Sequence, residues 1–254
     1  MVISQKIKRP FIYILRSNIL IIFWVLFFKF SVKQFSKKKG KTRKILAFNY
    51  ERYTKDLIAL ESCSKNKNLK FFFINSRIIE IINSFYLGGK IKETLKRDSS
   101  GNLDISKNEQ NSLAINKQVD YLVKFLNYLK YFSNIDCFVT CSFYYFQDQT
   151  WLRASEKANF PFVVLHKECM KDESILKMMS IEYRKKFKLF TDTNIVVHNE
   201  NEKECQILSK VSKPNYIHSL GCPRLDFMFK KMKNKVSHKN CVTLFSFRHS
   251  IGGL

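Results

Sequence analysis

The sequence predicts an α/β domain with a doubly wound, Rossmann-like parallel sheet behind an N-terminal hydrophobic helix. The first observation is that short apolar runs alternate with amphipathic segments of helical length from residue 44 onward. The second is composition: 45% of the 254 residues are hydrophobic and 15% are aromatic, which supplies enough apolar side chains for a core. Intrinsic disorder is therefore excluded as the main state. The low content of glycine (7) and proline (4) excludes a collagen-like or linker-dominated chain.

The first element is an unbroken apolar run, ILIIFWVLFF, over residues 19–28. As a helix this run rises about 15 Å, half of the hydrocarbon core of a bilayer. Extension back to Phe11 gives enough length to span, although Arg16 and two polar residues interrupt the run. Both a tilted span and a helix that lies in the interface are open, whereas a buried core helix is disfavoured because both flanks are strongly basic. A cleaved signal peptide is disfavoured because no small-residue cleavage site follows.

Positive charge is concentrated around this run. The chain has 45 Lys and Arg against 21 Asp and Glu, a formal charge of +24, and residues 1–44 hold twelve basic residues and no acidic one. Residues 1–43 are therefore interpreted as a basic, membrane-associating segment with an anionic membrane surface as its partner. The basic residues that follow the run place the downstream domain on the cytoplasmic face of the inner (plasma) membrane.

Residues 44–229 are interpreted as one Rossmann-like domain. Apolar runs bounded by polar residues predict strands covered on both faces over 44–50, 69–75, 136–142, 160–166, 194–199 and 215–221. Segments with apolar residues at helical spacing predict helices over 53–65, 76–87, 117–133, 146–158, 174–190 and 201–211. This alternation of strand and helix is typical of a parallel sheet with helices on both faces.

Two regions depart from the alternation. Residues 89–116 are rich in Ser, Asn, Lys and Asp and are interpreted as a long surface loop. Residues 230–254 contain a basic linker and then a new apolar run over 240–250, close to the end of the sequence. Because one strand without a partner does not complete a fold, this run is interpreted as the start of a second α/β domain, and the chain as truncated.

Ligands of open α/β sheets bind beyond the carboxyl ends of the strands, so polar residues at these ends are candidate site residues. His166 ends the predicted strand 160–166, and Glu168 follows it. An imidazole at this position could take a proton from an acceptor hydroxyl, with Glu168 orienting it or balancing its charge. The alternative is a strand-end histidine that bonds to backbone. His198 and His218 lie within strand patterns and are interpreted as core residues.

A second group of candidates follows the predicted strand 215–221. Residues 221–226 read GCPRLD, in which glycine permits a tight turn and proline suits a first helical turn. Arg224 and Asp226 then stand near a helix start, where they could bind an anion or pair with each other. A purely structural turn is the alternative. Arg248, after the last apolar run, could contact a phosphate.

Several other chemistries lack a sequence signal. The chain has no GxGxxG, GxxxxGK[ST], GxSxG or HExxH motif and no readable nucleic-acid-binding module. Its seven cysteines are scattered and odd in number, without a CxxC pair, so reduced and buried thiols are expected. The sequence therefore predicts no metal, no cofactor and no nucleic-acid partner.

Four segments carry a resemblance to a known family: VVLHKE (163–168), IVVHNENEKE (195–204), GCPRLDF (221–227) and LFSFR (244–248). Their order resembles the amino-terminal half of a GT-B-type protein, and more narrowly the CDP-glycerol glycerophosphotransferase and bacterial surface-carbohydrate (capsule or lipopolysaccharide) biosynthesis group. In that group a strand ending in His begins the acceptor site and a G-x-P-R-x-D turn closes the first domain. Here Lys167 follows His166 where the glycerophosphotransferases commonly have glycine, which favours the looser surface-carbohydrate group.

The resemblance implies transfer of a sugar or alditol phosphate from a nucleotide-activated donor to a lipid-linked or glycan acceptor. It implies that His166 activates the acceptor hydroxyl and that Arg224 and Asp226 shape the cleft between two domains. Arg248 would then lie near the donor phosphate. Because donor binding in such folds falls mainly to the second domain, this polypeptide alone is expected to be inactive or severely impaired.

Two other functions are compatible with the sequence. A nucleotide-sugar epimerase shares the two-domain architecture, but it acts on a soluble substrate and has no need of a membrane segment. A membrane-tethered, non-catalytic α/β binding domain needs only the helix and the sheet.

The predicted truncation is checked by reading the DNA downstream of the codon for Leu254. We expect an open frame that encodes a second α/β domain with a donor-phosphate site. A stop codon, with no complementary half encoded nearby, would argue against catalysis by this chain and favour the tethered binding domain.

Overall fold

The computed structural model describes residues 18–34, 43–48, 50–63, 69–76, 78–79, 82–83, 109–143, 146–167, 173–186 and 189–225. Within these residues one sheet contains seven strands: β1 (Lys33–Gln34), β2 (Arg43–Ala47), β3 (Leu69–Phe73), β4 (Cys137–Thr140), β5 (Phe162–Leu165), β6 (Asn194–Val197) and β7 (Ile217–Ser219). The helices are α1 (Asn18–Ser31), α2 (Thr54–Cys63), α3 (Glu109–Phe132), α4 (Phe146–Lys157), α5 (Leu176–Lys186) and α6 (Glu200–Ser209). Short 3-10 helices cover Tyr50–Arg52, Glu173–Ile175 and Pro214–Tyr216.

The sheet is parallel except at one edge. Its order is β1-β3-β2-β4-β5-β6-β7, and β1 pairs antiparallel with β3 while the other strands run in one direction. The chain moves from β2 outward to β3 and then crosses back to β4 on the other side of β2. The strand order therefore reverses between β2 and β4, which makes that crevice the topological switch point of the sheet.

Strand residues alternate between two hydrophobic clusters, one on each face of the sheet. Leu46 and Phe138 belong to the larger cluster, which α1, α3, α4, α5 and α6 cover. The next residues along the strands, Ala47 and Val139, belong to the smaller cluster together with Leu57 of α2. Helices thus cover both faces, and the predicted α/β class with a mostly parallel sheet is confirmed.

Each predicted strand overlaps an observed one, but some boundaries differ. The α3 helix begins at Glu109 rather than at residue 117, within the segment interpreted as a surface loop. The first turns of α3 are mostly polar, so they lack the apolar periodicity that marks a helix in sequence, although Ile115 is buried. Residues 84–108 lie outside the described part of the chain. They include the end of the helix predicted over 76–87 and most of the predicted loop.

The α1 helix packs one of its sides into the larger cluster. Ile21, Val25 and Phe28 are buried at the spacing that one helix face requires. The Phe28 ring lies 5.4 Å from the Phe125 ring and 5.9 Å from that of Trp151. Among the described helices, none is both long and apolar enough to cross a membrane.

The packing of α1 is tested by Phe28→Ala, with the exposed Phe30→Ala as its matched control on the same helix. We expect the Phe28 change to lower the free energy of unfolding by about 3–5 kcal/mol, because it removes a fully buried ring. The Phe30 change is expected to stay within about 0.5 kcal/mol. Urea titration followed by circular dichroism measures both; equally small effects would show that α1 does not pack on the domain in solution.

Candidate ligand site at the carboxyl edge of the sheet

His166 lies directly after β5 and is fully buried. Its backbone N–H donates to the Val196 carbonyl at 2.8 Å, which continues the pairing of β5 with β6 by one residue. The imidazole packs against the Phe143 ring, with centroids 4.9 Å apart, and its Nε2 lies 3.3 Å from Oε1 of Glu202. The strand end therefore directs His166 toward a carboxylate on the helix that follows β6.

Glu202 holds its position because α6 is capped just before it. The Asn199 side chain accepts a hydrogen bond from the Glu202 N–H at 2.8 Å, as an N-cap residue does. The carboxylate is fully buried and accepts a hydrogen bond from Nε2 of Gln206 at 3.0 Å. A buried carboxylate requires hydrogen-bond donors or another polar partner; Gln206 donates to it, and the imidazole of His166 lies beside it. Burial, together with this carboxylate, raises the pKa of the neighbouring Tyr183.

Asp56 and Arg224 form a bidentate ion pair across the same edge. Asp56 lies in the first turn of α2, and Arg224 follows β7. Arg224 donates from Nε to Oδ1 at 2.9 Å and from Nη2 to Oδ2 at 2.6 Å. The Asp56 side chain is 5% exposed and that of Arg224 is 36% exposed. The hydrogen bonds to Asp56 raise the pKa of Arg224, so the guanidinium is held both charged and fixed in orientation.

The turn after β7 brings Arg224 to this position. The Leu220 N–H donates to the Val197 carbonyl at 3.1 Å, which keeps the chain at the end of β6. Gly221 then adopts a φ of 81°, a conformation that side chains with a Cβ rarely adopt. Residues 220–225 thus pass from the edge strand β7 back over the carboxyl edge toward α2.

His198 lies at the same edge of the sheet. It follows β6, is half-buried, and interacts electrostatically with Asp56, Arg224, His166 and Glu202. Burial lowers its pKa; Arg224 and His166 lower it further, whereas the two carboxylates raise it. A lowered pKa keeps the imidazole neutral near pH 7, the form that can accept a proton.

We call Asp56, His166, His198, Glu202 and Arg224 the carboxyl-edge cluster. It joins a neutral imidazole to two carboxylates and a fixed guanidinium at the edge where doubly wound sheets bind ligands. The arrangement can abstract a proton through His198 and bind an anionic group through Arg224. His166 and Glu202 are fully buried, and both act electrostatically on His198.

A separate buried group lies at the switch point between β2 and β4. Asp148, in the first turn of α4, accepts a hydrogen bond from Oγ1 of Thr140 at 3.0 Å, and both residues are fully buried. The Tyr53 hydroxyl donates to the Val139 carbonyl at 2.8 Å, and burial raises its pKa. A carboxylate at a helix start is stabilised by the helix dipole, so this group anchors α4 to the end of β4.

The structure brings together only some of the residues predicted to form the site. His166 and Arg224 both belong to the carboxyl-edge cluster. Arg224 pairs with Asp56, which was not among the predicted site residues. Glu168, Asp226 and Arg248 lie outside the described residues.

Sequence reasoning missed three members of the cluster, each for a recognisable reason. Glu202 lies three residues after Asn199, a capping pattern that marks the first turn of a helix. This pattern was the available signal, and it was not used. His198 was interpreted as a core residue because the predicted strand ran to residue 199, whereas β6 ends at Val197 and leaves His198 half-buried. Asp56 carried no signal, because its partner is 168 residues away.

Some cavities lined by described residues lie away from the cluster. One lies at the amino ends of β5 and β6, where Glu156 and Asp192 line it. There Oε1 of Glu156 accepts from the Asp192 N–H at 2.9 Å and from Oγ1 of Thr193 at 2.8 Å, bonds that tie α4 to the start of β6. We favour the carboxyl edge as the ligand site because it combines this position in the sheet with a half-buried imidazole of lowered pKa.

Comparison with known proteins gives no match to a family model, a curated protein or a solved structure. The function is therefore inferred from the residues and their geometry.

The electrostatic contacts of His198 predict opposite effects of two substitutions on its pKa. Asp56→Asn removes a carboxylate that raises the pKa, so the His198 pKa is expected to fall further below its ordinary value. Arg224→Gln removes a cation that lowers the pKa, so the value is expected to rise. Titration of the imidazole C–H signals by NMR, with His198→Asn to assign the signal, measures both. Shifts of the same sign in the two variants would contradict the arrangement described.

Proposed function

We propose that this chain is the acceptor-side, Rossmann-like half of a GT-B-type transferase in surface-carbohydrate biosynthesis. The reaction moves a glycosyl or glycerophosphoryl group from a nucleotide-activated donor to a lipid-linked or glycan acceptor. The observation that carries the proposal is the carboxyl-edge cluster, which joins a neutral imidazole and a fixed guanidinium at the ligand-binding edge of a doubly wound sheet. The resemblance of residues 163–168 and 221–227 to that family supports it.

Such a transfer requires a base for the acceptor hydroxyl. The hydroxyl oxygen forms a bond to the transferred carbon or phosphorus while its proton passes to the base and the nucleotide departs with the bonding electrons. His198 suits this role because it is half-buried and its pKa is lowered. His166, which the resemblance implies as the base, is fully buried against Glu202, so the half-buried His198 is the better candidate for contact with the acceptor.

Arg224 suits a role in orienting an anionic part of the substrate. Its Nε and Nη2 are engaged by Asp56, which fixes the plane of the guanidinium while the side chain stays partly exposed. A guanidinium has five N–H groups, so this pair leaves further donors on Arg224 for a phosphate or carboxylate. The resemblance assigns the donor side of the reaction to the segment after residue 229, including Arg248.

The same proposal places the chain at the cytoplasmic face of the plasma membrane, where a lipid-linked acceptor is within reach. The support for this placement is the charge of the first 44 residues, which contain twelve Lys and Arg and no acidic residue.

The proposal is tested by a transfer assay. The chain is expressed together with any open frame that follows the codon for Leu254, and is incubated with bacterial membranes and radiolabelled nucleotide sugars or CDP-glycerol. We expect label to move into extracted lipid or glycan. The His198→Asn variant is expected to lower the rate about 10²–10⁴-fold, the usual contribution of a general base.

His218→Asn is the matched control for this assay. His218 is also half-buried, but its Nε2 lies 2.9 Å from Oδ1 of Asn194, at the start of β6 and away from the carboxyl edge. This variant is expected to keep its transfer rate. If His166→Asn abolishes transfer in a folded protein while His198→Asn does not, the base is His166 and our assignment is wrong. Binding of glycan without transfer from any donor would instead favour a non-catalytic binding domain.

A further inference from the structure

The outer side of α1 is apolar, like the side that packs in the core. Phe23, Phe27 and Phe30 are 57%, 40% and 82% exposed. They recur at i, i+4 and i+7, so they form one row along the side of the helix that faces away from the domain. We call these three residues the outer phenylalanine row. A helix that is apolar all round is found in a protein core or in lipid, and only one side of α1 is in the core.

The aromatic side chains of α1 contact one another. The Trp24 ring packs edge-to-face against Phe23, with centroids 6.1 Å apart, and against Phe27, at 5.6 Å. Aromatic residues on the apolar side of a helix, with basic residues beside them, are typical of helices that lie in the membrane interface.

The charge around the outer phenylalanine row indicates an anionic partner. Lys29 and Lys33 are exposed beside it, and residues 29–44 contain eight Lys and Arg and no acidic residue. Each basic residue near an anionic membrane strengthens the attraction of the protein to the lipid. The row and its lysines thus combine apolar burial with electrostatic attraction, the two contributions to interfacial binding. A second copy of this chain would bring the same positive charge to the interface, so like-charge repulsion disfavours self-association through the row.

A cavity near the carboxyl end of α1 adds a site for a headgroup. Lys29 and Lys44 line it together with Val32, Phe72 and Phe132. Two basic residues in a lining that is otherwise apolar and uncharged suit the phosphate of an anionic phospholipid.

We infer that α1 docks the domain on an anionic lipid bilayer, with the outer phenylalanine row inserted among the lipids and the helix axis parallel to the membrane. The helix of 14 residues is about 21 Å long and packs lengthwise on the domain, so it presents its row as one flat edge. Insertion reaches about 5–10 Å, the depth of an interfacial helix. This inference does not depend on the transferase proposal.

The docking is tested by sedimentation of the purified full chain with vesicles of phosphatidylcholine, with or without phosphatidylserine. We expect the chain to sediment with the phosphatidylserine vesicles and to be released by high salt. The double variant Phe23→Ser/Phe30→Ser is expected to lower partition into these vesicles at least about tenfold. Lys29→Gln is expected to lower it about fivefold.

The matched control is Met178→Ser/Ile181→Ser on α5, which replaces two apolar residues that are 52% and 53% exposed. This control is expected to bind vesicles like the unchanged chain. Thermal unfolding of all variants verifies that each is folded. Equal vesicle binding by the phenylalanine variant and the unchanged chain would overturn the inference.

Two further measurements distinguish docking on the membrane surface from a membrane span and from dimer formation. Quenching of Trp24 fluorescence by brominated lipids is expected to be strongest for bromines near the headgroups; Trp151 is fully buried in the core. Strongest quenching at the bilayer centre would show a span and overturn the inference. Analytical ultracentrifugation tests for a dimer. A dimer that the phenylalanine variant dissociates, in a chain that does not bind vesicles, would also overturn the inference.

Discussion

The structure depends on one constraint: six strands, β2 to β7, run in the same direction. Every connection must therefore return outside the sheet, and all six carboxyl ends meet at one edge. This is why Asp56 and Arg224, which are 168 residues apart, form a bidentate ion pair. It is also why helices must cover both faces, since a parallel sheet is stable only when both are buried.

Buried carboxylates fix the geometry of this edge. Glu202 is held by its capped helix and faces Gln206 and His166, Asp56 faces Arg224, and Asp148 faces Thr140. An unpaired buried carboxylate would cost several kcal/mol, so each of these side chains has one favoured position. Burial lowers the pKa of the half-buried His198, and the charges of Asp56, Arg224 and Glu202 act on it in opposing directions. A ligand would thus meet side chains that are already in place, which reduces the reorganisation needed on binding.

The α1 helix connects the fold with the proposed function. Its inner side completes the core through Phe28, while its outer phenylalanine row remains exposed. A domain held to a bilayer by such a helix keeps its carboxyl edge at a constant distance from the lipid surface. An acceptor anchored in the same bilayer would then reach the cluster by lateral diffusion, which raises its effective concentration at the site.

The α/β class and the approximate places of six strands follow from local sequence, because burial on both faces leaves short apolar runs. The sequence also placed His166 and Arg224 after strands, where ligands of such sheets bind. The packed fold was needed to show that Arg224 pairs with Asp56, that His166 faces Glu202, and that β6 ends early enough to leave His198 half-buried. It was likewise needed to show that one side of α1 joins the core and that α3 starts within a polar segment. The physical reason is that periodicity reports only local conformation, whereas contacts across the edge depend on strand order, which no local pattern encodes.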